Sequence, residues 1–134
     1  MTVADLVFDA SAVIRGLTRG GEAAELFDQL GKRSTVGHAP DVIVAEVANA
    51  FALAVRFKRR SLVNAVRLFE LFARSPIELH PTKPIAPHAI VVAAERGLTA
   101  YDAFYAVLSA TLEMPLVTAD RRLAAAVPGA VLVD

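Results

Sequence analysis

The chain has 134 residues, no cysteine, and 14 basic against 14 acidic residues. That length suffices to bury a core in one compact domain, and the lack of cysteine excludes disulfides, thiolate metal sites and a cysteine nucleophile. A hydrophobic share of 55% argues against disorder. Zero net charge argues against nucleic-acid binding by bulk charge alone, and no apolar run reaches the ~18 residues of a membrane span.

Taken in order, Val3 to Phe8 reads as a central strand that stops at Asp9, with Ser11 placed to cap a short helix ending near Gly16. After the Gly20-Gly21 break, Ala23, Leu26, Phe27 and Leu30 form an amphipathic stripe closed by Gly31. Val36 to Ala39 is a short strand. Asp41 opens a helix to about Arg59, and Ser61 restarts one to about Arg74. Phe51, Leu53, Val55 and Phe57 on the first, with Leu62, Val66, Leu68, Phe69, Leu71 and Phe72 on the second, leave that hairpin apolar on most sides. One side can cover a sheet and the other needs a partner, either a second copy or another protein.

Ile77 to His80 is the next strand. Pro81, Pro84 and Pro87 mark a turn before a helix from about Ile85 to Arg96, with Gly97 as its stop. Thr99 to Asp102 has the form of a capping box, opening a helix to Glu113. A strand at 116–119, a helix from Asp120 to Val127, a Pro128-Gly129 turn and a strand at 130–133 complete the chain. This alternation predicts an α/β fold, a parallel sheet with helices on both faces, as a single domain over residues 1–134.

In such a fold the carboxyl ends of the strands form the ligand crevice. Asp9 and Asp120 each end a strand, and Asp102 starts a helix facing the same edge. Each has a plain alternative as a turn or capping residue. Glu46 lies among Ile43, Val47 and Ala50 on the apolar side of its helix, so an arginine or a metal ion has to answer its charge. Gathered together, four carboxylates repel unless cations neutralise them. All-oxygen ligands point to Mg²⁺ or Mn²⁺ over zinc.

The segments Val7-Phe8-Asp9-Ala10-Ser11, the Glu46 helix, Leu98-Thr99-Ala100-Tyr101-Asp102-Ala103 and Val117-Thr118-Ala119-Asp120-Arg121-Arg122-Leu123 together resemble the PIN-domain ribonucleases, and among them the VapC-type toxins of bacterial toxin–antitoxin pairs. The resemblance covers nearly the whole chain, in order. It implies a three-layer sandwich around a five-stranded parallel sheet, a homodimer, and an antitoxin that blocks the site. It also implies RNA cleavage by Asp9, Glu46, Asp102 and Asp120 as metal ligands, with Ser11 and Thr118 as supporting hydroxyls. Carboxylate-held Mg²⁺ can lower the pKa of a bound water and stabilise charge on a phosphodiester. Cleavage is therefore expected to leave a 5′-phosphate and a 3′-hydroxyl.

Arg15 and Arg121 are the basic residues expected to face substrate. Lys32-Arg33, Arg56 and Lys58-Arg59-Arg60 read as solvated helix ends, with phosphate contact the lesser alternative. His38, His80 and His88 lack metal-ligand spacing, so packing or surface roles are expected. Tyr101 and Tyr105 are read as core or rim residues, with base stacking the lesser alternative. A haloacid-dehalogenase reading fails because Ser11 stands where a second Asp belongs, and a receiver lacks its paired acids and lysine. The remaining rival is a non-catalytic interaction module whose acids only cap helices. The N-terminus, Met1 to Asp5, has no signal-peptide pattern, so a cytoplasmic location is expected.

Overall fold

The computed structural model describes residues 5–30, 32 and 35–134. Its elements run β1 (Leu6–Phe8), α1 (Ala10–Thr18), α2 (Glu22–Asp28), β2 (Gly37–Pro40), α3 (Val42–Arg56), α4 (Leu62–Arg74), β3 (Ile77–His80), a 3₁₀ turn at Lys83–Ile85, α5 (Ala86–Arg96), α6 (Ala100–Leu112), β4 (Leu116–Thr118), α7 (Arg121–Ala126) and β5 (Val131–Leu132). The five strands form one sheet in the order β3-β2-β1-β4-β5, every pairing parallel. The helices lie on both faces, so the expected three-layer α/β architecture is borne out. Residues 3–4 of the first predicted strand, and the Gly31 stop, lie outside the described residues.

The central strands are apolar because both faces are covered. Val7, Phe8, Leu116 and Val117 have no solvent exposure. Val7 pairs with Leu116 and Phe8 with Val117. Phe8 meets the ring of Phe27 from α2 edge-on, at 6.3 Å between centroids. The helix pair α1–α2 comes close enough for this because position 16 is glycine: a Cβ there would stand 3.1 Å from Phe27 Cβ. On the other side of the chain order, α6 packs against β1, β2 and β4 and against α5. Residues 103 and 105–109 of α6 are buried, which is why its sequence is apolar almost all round.

Local sequence sets the boundaries. Ser61 accepts the Asn64 N–H and Thr99 the Asp102 N–H, each as an N-cap, and Gly97 ends α5 in the left-handed conformation at φ 65°. The first cap is a correction: Asp9, not Ser11, caps α1, its carboxylate accepting the Ala12 N–H at 2.8 Å. Asp41 precedes α3 without a side-chain cap bond. The helix stops at Arg56, short of the predicted Arg59, because Lys58 turns into positive φ.

The α3–α4 hairpin divides as its sequence requires. Phe51, Leu68 and Phe72 are buried, whereas Phe57, Leu62, Val63 and Val66 remain at least half exposed. Between the two helices lies an apolar groove of about 390 Å³, walled by Phe51, Val55, Val66 and Phe69 among others.

Candidate functional site

Asp9 follows β1 with extended backbone, and only 5% of it is exposed. Its carboxylate is held by three donors. Oδ1 accepts from Ser11 Oγ at 2.7 Å and from the Ala12 N–H at 2.8 Å; Oδ2 accepts from Thr118 Oγ1 at 2.6 Å. The two hydroxyls are fixed in turn. Ser11 Oγ accepts the Ala119 N–H and Thr118 Oγ1 the Asp120 N–H, so both protons point at Asp9. Pairing of β1 with β4 brings Thr118 into reach, so Ser11 and Thr118, the two candidate supporting hydroxyls, both bond Asp9. Burial pushes the Asp9 carboxyl up to about 6 against the pull of those bonds, and the charge of Asp102 adds to the rise.

The other three acids sit on helices around this centre. Glu46, half-buried in the second turn of α3, accepts a hydrogen bond from Tyr105 Oη. Its carboxyl is raised by burial and, in addition, by the charge of Asp102. Asp102 in the first turn of α6 is raised by burial and then by Asp120. Asp120 caps α7, its Oδ1 accepting from Arg122 N at 2.9 Å and Leu123 N at 3.3 Å; both bonds use one oxygen and leave Oδ2 outside them. The four predicted acids are thus coupled through Asp102, which acts on Asp9 and Glu46 and is acted on by Asp120.

This donor set fits a hard divalent cation. It offers carboxylate oxygens only, and among the described residues the ion pairs all involve His38, so no arginine or lysine forms a salt bridge with any of the four. Tyr105, not an arginine, answers Glu46. The acids do not close up on one another: among the described residues, the group of three or more donors all within 4.8 Å is His38, Glu78 and His80.

Among the basic residues, Arg122 lowers the Asp102 carboxyl electrostatically, while its Nη2 donates to the Gly97 carbonyl at 2.7 Å. Arg121 is exposed and Arg15 half-buried, and neither has a side-chain hydrogen bond or ion pair among the described residues. Arg56 and Arg59 each lie 5.7 Å from the centroid of the Phe57 ring at the end of α3. Tyr105 is 1% exposed, which excludes base stacking. Its role in holding Glu46 was missed from sequence, although it falls three residues after Asp102 on the same face of α6. His88 is on the surface as expected. His38 is buried, in keeping with a packing role, and register between β2 and β3 sets it beside Glu78 and Pro40 beside His80, bringing together residues that sequence spacing keeps apart.

Fold and site define an α/β domain that collects four acids at the carboxyl-end edge of a parallel sheet. The PIN domain family profile matches residues 6–127, and the chain belongs to the PIN-domain family. It is similar to Ribonuclease VapC1 of Mycobacterium tuberculosis, 34% identical over 127 residues that cover 93% of this chain and 92% of that protein. Among solved structures it is similar to PAE2754 from Pyrobaculum aerophilum, with a TM-score of 0.78 and 28% identity over 95% of this chain and 82% of that one. A toxin-antitoxin complex from Klebsiella pneumoniae contains a chain of the same fold, at a TM-score of 0.65 and 16% identity, covering 94% of this chain and 95% of that one.

Proposed function

We propose that this chain is a VapC-type endoribonuclease that depends on a divalent metal ion and is held in check by an antitoxin. The observation that carries this reading is Asp9: a buried carboxylate at the end of β1, fixed by three donors, with Asp102 in electrostatic range of it and Glu46 and Asp120 in range of Asp102. An acid that only capped a helix would have no need of the two extra hydroxyls or of like-charged neighbours. Ribonuclease is the name carried by the M. tuberculosis relative, and the family profile spans all four acidic positions.

Asp9, Glu46, Asp102 and Asp120 would hold Mg²⁺ or Mn²⁺. Bound there, such an ion supplies a more acidic water and a counter-charge for the phosphodiester. The chain's own contribution is positional. Ser11 and Thr118 hold Asp9 in one orientation, Tyr105 does the same for Glu46, and the α7 cap holds Asp120. Arg15 and Arg121 meet substrate phosphates. Water adds across the phosphodiester and the bond to O3′ breaks, leaving a 3′-hydroxyl and a 5′-phosphate. The exposed apolar side of α3 and α4 is the surface for a second copy or for the antitoxin. Among the described residues no helix is long and apolar enough to cross a membrane. An RNA substrate places the toxin in the cytoplasm.

The test is to incubate the purified protein with total RNA in Mg²⁺, Mn²⁺ or chelator and to map the ends. Cleavage that needs the metal and leaves 5′-phosphates is expected. Cleavage in chelator with 2′,3′-cyclic phosphate ends, or no cleavage of any RNA, would contradict the reading and favour an interaction module.

A further inference from the structure

The groove on α3–α4 belongs to the partner surface proposed above. A separate group on the β2–β3 side of the sheet does not. We propose that His38, Glu78 and His80 form a second metal site, for a borderline divalent ion of the zinc class, independent of the nuclease reading.

The three donors come from neighbouring strands. His38 Nδ1 lies 2.9 Å from His80 Nε2 and 3.8 Å from Glu78 Oε2, and one donor atom from each residue lies within 4.8 Å of the others. Residues in register on parallel strands point to the same face, and so do residues two apart on one strand. His38, Glu78 and His80 therefore project together by construction of the β2–β3 pairing. Two imidazole nitrogens on one four-coordinate zinc stand about 3.3 Å apart for bonds of about 2.0–2.1 Å. The rings need to part by only a few tenths of an ångström.

Behind the donors stands the partner that a metal-binding histidine ordinarily has. His38 is 7% exposed, and its Nε2 lies 3.4 Å from Asp5 Oδ2. Asp5 is itself fixed, its Oδ1 accepting the Val36 N–H at 3.1 Å. A carboxylate on Nε2 keeps the proton there and turns the Nδ1 lone pair towards the site. His38 Nδ1 and His80 Nε2 already face one another, so both lone pairs can be turned on a single ion. Glu78 is largely exposed, which leaves an open side for a water. Two imidazoles and a carboxylate suit zinc, whereas the all-oxygen set around Asp9 suits magnesium. Zinc here would clip the edge strand β3 to its neighbour.

The test is titration of Zn²⁺ into the protein by calorimetry in excess Mg²⁺, for the wild type, His80→Gln, Asp5→Asn and Asp102→Asn. One equivalent should bind the wild type and Asp102→Asn alike. His80→Gln should weaken binding by more than about 100-fold and Asp5→Asn by about 10–100-fold, as loss of an outer partner does. A Co²⁺-loaded wild type should show visible absorption that His80→Gln lacks. Glu78→Gln, at an exposed side chain, repeats the test should His80→Gln fail to fold, and should also weaken binding. Absence of Zn²⁺ binding, undiminished binding in His80→Gln or Glu78→Gln, or loss in Asp102→Asn alone would overturn the proposal.

Discussion

Asp9 at the sheet centre and the three acids around it carry the same functional group in opposite settings. Asp9 is almost wholly buried and its carboxylate accepts three hydrogen bonds, two of them from side chains themselves locked by backbone N–H groups. Glu46, Asp102 and Asp120 are half-buried, each on a different helix, and hold fewer such bonds. The fold thus fixes one carboxylate rigidly and holds the others by fewer bonds. Under the proposed function, that division gives a divalent ion one preset ligand and three that can adjust to it.

The largest expected effect breaks the comparison at its centre. Asp9→Asn should lower RNA cleavage by at least about a hundredfold, the scale of losing a group that acts in the transition state, while circular dichroism shows the fold retained. Asp120→Asn should lose activity as severely with less change in stability, because asparagine caps a helix as well as aspartate. Cleavage by either variant at the wild-type rate would remove that residue from the site.

Stability against pH sharpens the contrast. The folded Asp9 carboxyl is raised to about 6 from an ordinary 3.8, so the folded state favours its protonated form. Its contribution is present in full below the unfolded value and is lost as pH rises through about 6. The metal-free protein should therefore lose on the order of 3 kcal/mol between about pH 4 and pH 7 from this group. Thermal melts of Asp9→Asn should lack that slope. Divalent metal should reverse the trend, since binding requires the deprotonated form.

Smaller effects follow at the supports. Thr118→Val removes a donor to Asp9 and the acceptor of the Asp120 N–H; it should cost about 1–3 kcal/mol in denaturant unfolding and raise the Asp9 carboxyl further. Tyr105→Phe deletes only the hydroxyl on Glu46. It should cost about 1 kcal/mol and weaken metal binding more than it changes the fold.

Much of this was legible in the sequence, for identifiable reasons. Short apolar runs stopping at Asp9 and Asp120 declared buried parallel strands, and the caps at Ser61 and Thr99 placed α4 and α6 within a residue. The acids were legible because a carboxylate that closes an apolar strand, or sits on the apolar face of a helix, loses water on folding and needs a donor or an ion in its place. What stayed hidden depends on pairing. That Asp9 caps α1 while Ser11 turns back onto it follows from the β1–β4 contact, which no local pattern encodes. The hydroxyl of Tyr105 reaches Glu46 across 59 positions, and the His38–His80 contact needs the β2–β3 register.

The central claim is that four acids from separate elements form one ion site. Calorimetric titration of Mn²⁺ into the wild type and into Asp9→Asn, Glu46→Gln, Asp102→Asn and Asp120→Asn, each with His80→Gln in the background to silence the histidine group, tests it most directly. Every one of the four changes should weaken or abolish the same binding event. A variant that takes up Mn²⁺ as the parent does would show that its acid stands outside the site.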